Sequence, residues 1–136
     1  MDLNAIKSSL RIHEGKSLKP YQCTAGKLSI GYGRNLDDRG ITNAEAEYLL
    51  DNDIETAVAE LDRVFPGWRN HSDNVQNVLV ELSFAMGAPR LSGFKKMWAA
   101  LDARDYPTAA AELLDSRWRQ QVGQRAITLA DRLRNG

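Results

Sequence analysis

Tyr21-Gln22-Cys23-Thr24-Ala25-Gly26-Lys27-Leu28-Ser29-Ile30-Gly31-Tyr32-Gly33 is the stretch that decides the fold class. Leu28, Ile30 and Tyr32 alternate with Lys27, Ser29 and Gly31, and Ala25-Gly26 stands where a hairpin turn is needed. The spacing predicts a small, glycine-rich antiparallel β-hairpin. On both sides the period is helical. Upstream, Leu3, Ile6 and Leu10 recur behind Asp2, an N-cap residue, so residues 3–14 read as an amphipathic helix that Gly15 ends. Downstream, Arg34 to Gly40 holds turn-forming residues without apolar period and reads as a surface loop.

Thr42-Asn43-Ala44-Glu45 has the spacing of a capping box, and Leu49, Leu50, Ile54, Val58 and Leu61 extend an apolar pattern behind it. A long helix is expected over about 43–63. Pro66-Gly67 breaks the chain before a strongly apolar helix marked by Val75, Val78, Leu79, Leu82 and Met86, which stops at Gly87-Ala88-Pro89. Further helical patterns lie at about 93–102, 107–114 and 123–134, making four or five helices after the long one. The fold class is therefore α+β with segregated parts. Residues 1–136 are expected to form a single domain: a β-lobe at about 15–41, the linking helix, and a helical lobe of about 68–136 joined by helix 3–14. Such a layout is expected to leave a cleft between lobes, a common place for a binding site.

At 136 residues, with 43% hydrophobic and 26% charged residues, the composition is that of an ordinary globular chain. No run of about 18 apolar residues occurs, and the N-terminus lacks the basic start and apolar middle of a secretory signal, so storage in the cytoplasm and no stable membrane association are expected. Cys23 is the single cysteine, which rules out an internal disulfide. A net charge of zero argues against a nucleic-acid partner. His13 and His71 are distant and lack neighbouring ligands at motif spacing, so no metal is expected; Gly31-Tyr32-Gly33 lacks the Lys-Ser/Thr of a phosphate loop, and no cofactor is expected. Trp68, Trp98 and Trp118 read as packing residues rather than sugar platforms.

Glu14 falls at the C-terminal end of the first helix, where unsatisfied carbonyls disfavour a second negative charge. A carboxyl that keeps its proton suits a general acid, which must protonate a leaving oxygen. Around it, Arg11-Ile12-His13-Glu14-Gly15, then Leu18, Tyr21, Thr24, Gly26 and Ser29-Ile30-Gly31-Tyr32-Gly33, resemble the active-site region of phage lysozymes of the T-even type, glycoside hydrolase family twenty-four. The resemblance continues through Gly40-Ile41-Thr42, Phe84-Ala85-Met86-Gly87, Gly93-Phe94, Ser116-Arg117-Trp118 and Arg125.

The resemblance implies a lysozyme-like fold and a muramidase acting on the peptidoglycan glycan strand, with Glu14 as proton donor. It places Cys23 where the family has the aspartate that assists water attack, and Ser29 where the family has the threonine that holds the water. Serine keeps the hydroxyl. Cysteine is a larger change, because an unperturbed thiol, with a pKa of about 8.5, is mostly neutral at pH 7. Cys23 can be read as a partly ionised thiolate helped by Lys19 or Lys27, as an inert replacement in a weakened enzyme, or as a covalent nucleophile. By the same resemblance Arg125 supports Glu14, while Arg34, Phe84 and Arg117 are candidate substrate-binding residues. The expected protein is a monomeric endolysin, held in the host cytoplasm until the membrane is permeabilised. A silent peptidoglycan-binding homologue and a lytic transglycosylase remain alternatives.

Overall fold

The computed structural model describes all residues 1–136. Helix α1 spans Leu3–Glu14, and the Asp2 carboxylate caps it by accepting from the Ala5 N–H at 3.0 Å. Strands β1 (Ser17–Gln22), β2 (Leu28–Gly31) and β3 (Arg34–Asn35) form an antiparallel sheet in the order β1-β2-β3. The hairpin turn lies where the sequence puts it: Gly26, at φ 77°, donates to the Cys23 carbonyl at 2.8 Å, and Cys23 donates to Lys27 at 2.9 Å. The β1–β2 register pairs Tyr21 with Ser29 but slips between Ser17 and Tyr21, the segment holding Pro20, which has no N–H to give a ladder.

The segment expected to be a loop at 34–40 is ordered instead as β3 and a one-turn helix, α2 (Leu36–Arg39). Local caps explain it: the Asn35 side chain accepts from the Asp38 N–H at 3.0 Å, and the Asp37 carboxylate accepts from the Leu28 N–H at 2.7 Å. One helical turn is too short to show an apolar period. The facing of β2 also departs from simple alternation, since polar Ser29 is 2% exposed while Leu28 is 39% exposed.

Helix α3 covers Asn43–Val64 and opens with the expected capping box: Glu45 N–H donates to Thr42 Oγ1 at 3.1 Å, and Thr42 N–H donates to Glu45 Oε1 at 2.8 Å. After it come α4 (Asp73–Met86), α5 (Ala88–Leu91), α6 (Lys95–Asp102), α7 (Tyr106–Leu114), α8 (Arg117–Val122) and α9 (Gln124–Arg134), six helices rather than four or five. The additional ones are short: α5 carries Pro89 in its first turn, and α8 is capped by Ser116 and cut from α9 by Gly123 at φ 57°.

The chain forms two compact units, Met1–Tyr48 and Leu49–Gly136. The main core lies in the second, where Val75, Val78, Leu79 and Leu82 of α4 are wholly removed from water and pack with Leu101, Leu113 and Leu133. Each such side chain contributes about 1.5–3 kcal/mol of burial free energy. Trp68 and Trp118 are core residues, and the indole N–H of Trp98 donates to the Leu91 carbonyl at 2.9 Å, so all three tryptophans pack within the helical unit. On α3 the burial begins at Ala57 and Leu61, whereas Leu49, Leu50 and Ile54 are exposed. No helix is long and apolar enough to cross a membrane.

His71 is the one buried ionisable side chain of the helical unit. Its ring is hydrogen-bonded through Nδ1 with the Tyr106 hydroxyl at 2.8 Å, and the Arg104 guanidinium lies 3.1 Å from Nε2. Desolvation first, then the Arg104 charge, holds its pKa below the ordinary histidine value of 6.5, with Asp102 opposing weakly. A neutral buried histidine gives stability that is full above pH 6.5 and is lost as pH falls through the lower folded-state value. The urea midpoint of the native protein should therefore drop between pH 7 and pH 5, and His71→Gln should flatten that slope. Equal slopes in both proteins would refute the assignment.

Candidate active site

The first unit brings four of the expected residues onto α1 and the sheet. Glu14 is the last residue of α1, and Gly15, at φ 71°, turns the chain away behind it. Its side chain is exposed and lies over Gly33, at φ 77°: a β-carbon built on Gly33 would stand 2.9 Å from Glu14 Oε2 and 3.6 Å from Cδ. No hydrogen bond or ion pair within residues 1–48 engages the Glu14 carboxyl, so it is available for a proton-transfer partner. The neighbouring His13 is taken up by Ser9, whose hydroxyl is 3.2 Å from Nδ1.

Cys23 sits at the first corner of the β1–β2 turn, half-buried, with the thiol in reach of Ser29. Its pKa is lowered, chiefly by hydrogen bonding from the main chain of Lys27, then from that of Ala25, with the Ser29 side chain adding to them and partial burial opposing. The expected helper, the Lys27 ammonium, is turned away to Asp38 at 3.3 Å. The turn's main-chain dipoles thus favour the thiolate where a lysine side chain was expected to. Ser29 is buried, and its hydroxyl donates to the Lys27 carbonyl at 3.3 Å. With a single proton to give, that hydroxyl can point to the carbonyl or to sulfur.

Arg34 is half-buried at the start of β3 and its guanidinium is occupied. It donates to both Glu45 oxygens, at 2.8 and 2.6 Å, and to the Gly40 carbonyl at 3.1 Å. This bidentate bond first, and then the Thr42 N–H, brings the Glu45 pKa from 4.5 down to about 2. The capping-box spacing marked Glu45 in the sequence, but nothing local there discloses its second partner.

The other candidates belong to the second unit. Phe84 on α4 is 43% exposed and lines a hollow of about 270 Å³ with Asp53, Thr56 and Glu60. Arg117, the first residue of α8, is exposed and lines a separate hollow of about 320 Å³ with Ser116 and Arg119. Arg125 is exposed near the start of α9. No group of three or more His, Cys, Asp and Glu side chains is placed to hold a metal ion.

An unpaired carboxyl on α1, with a hydroxyl and a thiol on the adjoining hairpin, is a set suited to acid–base hydrolysis. The family model described as Phage lysozyme matches residues 11–135. The chain belongs to the phage lysozyme family. It is thus a lysozyme-type glycoside hydrolase with the α+β fold of that family and the role of a lysozyme or endolysin. Relatives include "Probable T4-type lysozyme 2" of Dictyostelium discoideum, 25% identical over 91% of this chain and 90% of the relative. An "Endolysin" of Acyrthosiphon pisum secondary endosymbiont phage 1 is 32% identical over 77% of this chain and 72% of its own length.

The Arg34–Glu45 pair yields a pH signature in this lysozyme. Since the Glu45 pKa is depressed, its contribution to stability is full above pH 4.5 and is lost as pH falls toward about 2. Glu45→Gln should lower the thermal midpoint at pH 7, and the gap from the native protein should close on acidification to pH 2. A gap that persists unchanged at pH 2 would show that the carboxylate charge is not its source.

Proposed function

We propose that this lysozyme is an endolysin muramidase that hydrolyses the β-1,4 bond between N-acetylmuramic acid and N-acetylglucosamine in bacterial peptidoglycan and so lyses the host cell. Glu14 donates its proton to the leaving glycosidic oxygen. A water held by the Ser29 hydroxyl and polarised by the Cys23 thiolate attacks the anomeric carbon from the opposite face, with inversion. The thiolate takes the charge-stabilising and proton-accepting part that the family aspartate plays. The observation that carries this reading is the turn around Cys23, whose main-chain hydrogen bonds, together with the Ser29 side chain, lower the thiol pKa.

Arg125 would orient the Glu14 carboxyl, and Phe84 and Arg117 would contact the glycan. Arg34 would contact the glycan through the N–H groups that Glu45 and Gly40 leave free. The enzyme works as a monomeric single domain of residues 1–136, without metal or cofactor. It waits in the host cytoplasm until another protein permeabilises the membrane and then acts on the wall.

Purified peptidoglycan, followed by turbidity and by mass spectrometry of released muropeptides from pH 5 to 9, tests the proposal. Glu14→Gln should lose about 10²–10⁴-fold in rate, the usual worth of a general acid. Cys23→Ser should lose most of the remaining activity, and Cys23→Asp should restore it while removing the rise in rate that thiol ionisation gives on the alkaline side. Reducing-end products support hydrolysis. Anhydro-sugars would make the enzyme a transglycosylase, binding without products would make it a silent wall-binding homologue, and full activity in Cys23→Ser would remove the thiol from the mechanism.

A further inference from the structure

The Glu14 carboxyl has no polar partner in its own unit, and its side chain lies over Gly33, at a point where that residue has no side chain. A β-carbon there would meet Oε2 at 2.9 Å, Cδ at 3.6 Å and the Glu14 β-carbon at 3.8 Å, so the whole side chain is draped over the space a methyl would take. A separation of 2.9 Å between carbon and oxygen is well inside contact distance, and the carboxyl is the end that would yield. Gly33 itself is held, since Arg34 beside it pairs with Ile30 across the sheet and is clamped by Glu45 and Gly40.

We infer that Gly33 is a positioning residue for the general acid: the absence of a side chain at this point is the seat that sets where the Glu14 carboxyl delivers its proton. The inference rests on the assignment of Glu14 as proton donor. Left-handed backbone favours glycine at Gly33 and at Gly31 of the same hairpin, φ 68°, but a β-carbon on Gly31 would have nothing within 4 Å. The two glycines are thus alike in left-handed backbone and unlike in contact. That contrast separates strain from seating.

The experiment compares Gly33→Ala with Gly31→Ala. Circular dichroism and thermal unfolding report the backbone strain, which both variants share. Rates on soluble glycan fragments report kcat and KM, and the side-chain carboxyl carbon resonance of ¹³C-labelled Glu14, read across a pH titration, reports carboxyl position without needing activity. Gly33→Ala should keep KM and lose about 10²-fold in kcat, the scale of an ångström-sized misplacement of a reacting group. Its Glu14 resonance and titration should move. Gly31→Ala should match it in thermal loss while holding kcat and the Glu14 resonance. Equal kcat losses in both variants, or an unmoved Glu14 titration in Gly33→Ala, would overturn the inference. Should Gly33→Ala not fold, the unaltered protein decides through nuclear Overhauser contacts between the Gly33 α-protons and the Glu14 β-protons, whose absence would be equally fatal. A native protein without glycosidase activity, in which Gly33→Ala still displaces the Glu14 resonance, would sink the functional reading and leave the seat intact.

Discussion

Glu45 accepts from the Thr42 N–H through Oε1 as the inner half of a capping box and grips the Arg34 guanidinium with both oxygens. Partly exposed ion pairs usually contribute little. This one is bidentate and is backed by a third bond from Arg34 to the Gly40 carbonyl, so its value lies in geometry as much as in energy. The first turn of α3 is joined to β3, β3 to β2, and the glycine preceding Arg34 is thereby located. The Glu14 side chain lies over that glycine, where a β-carbon would stand 2.9 Å from Oε2.

The two chemical groups of the site are treated in opposite ways. Glu14 is left without polar company in its unit, at a helix end whose carbonyls give no stabilisation to negative charge. Around Cys23 the main chain of Lys27 and then of Ala25 lowers the thiol pKa. Such neutral donors act at contact range and are little affected by salt, whereas the side-chain ammonium of Lys27 would be screened and is in any case spent on Asp38.

Sequence reading succeeded where periodicity runs over several turns. Helix α1 ends at Glu14 as its spacing predicts, the capping box opens α3, and the hairpin turn falls on Ala25-Gly26. It failed for α2, α5 and α8, which are too short to show a period and depend on caps and on neighbours. It also misjudged faces: Leu28, Leu49, Leu50 and Ile54 have the pattern of buried residues and are exposed, while Ser29 is buried. Alternation tells which residues share a side of a strand, and the packing around that strand decides which side is covered.

What the sequence determined by itself was the order and type of the long elements, the α+β class, and the motif pattern that resembles the phage lysozyme family. These are local properties, written in spacing, caps and turns within a few residues of each other. Only the tertiary structure decided that Arg34 answers to Glu45, that main-chain groups rather than a lysine lower the Cys23 pKa, and that Gly33 is the surface on which Glu14 rests. Each of these joins residues from different elements, and hydrogen-bond direction and steric contact at a few ångströms have no counterpart in a one-dimensional pattern.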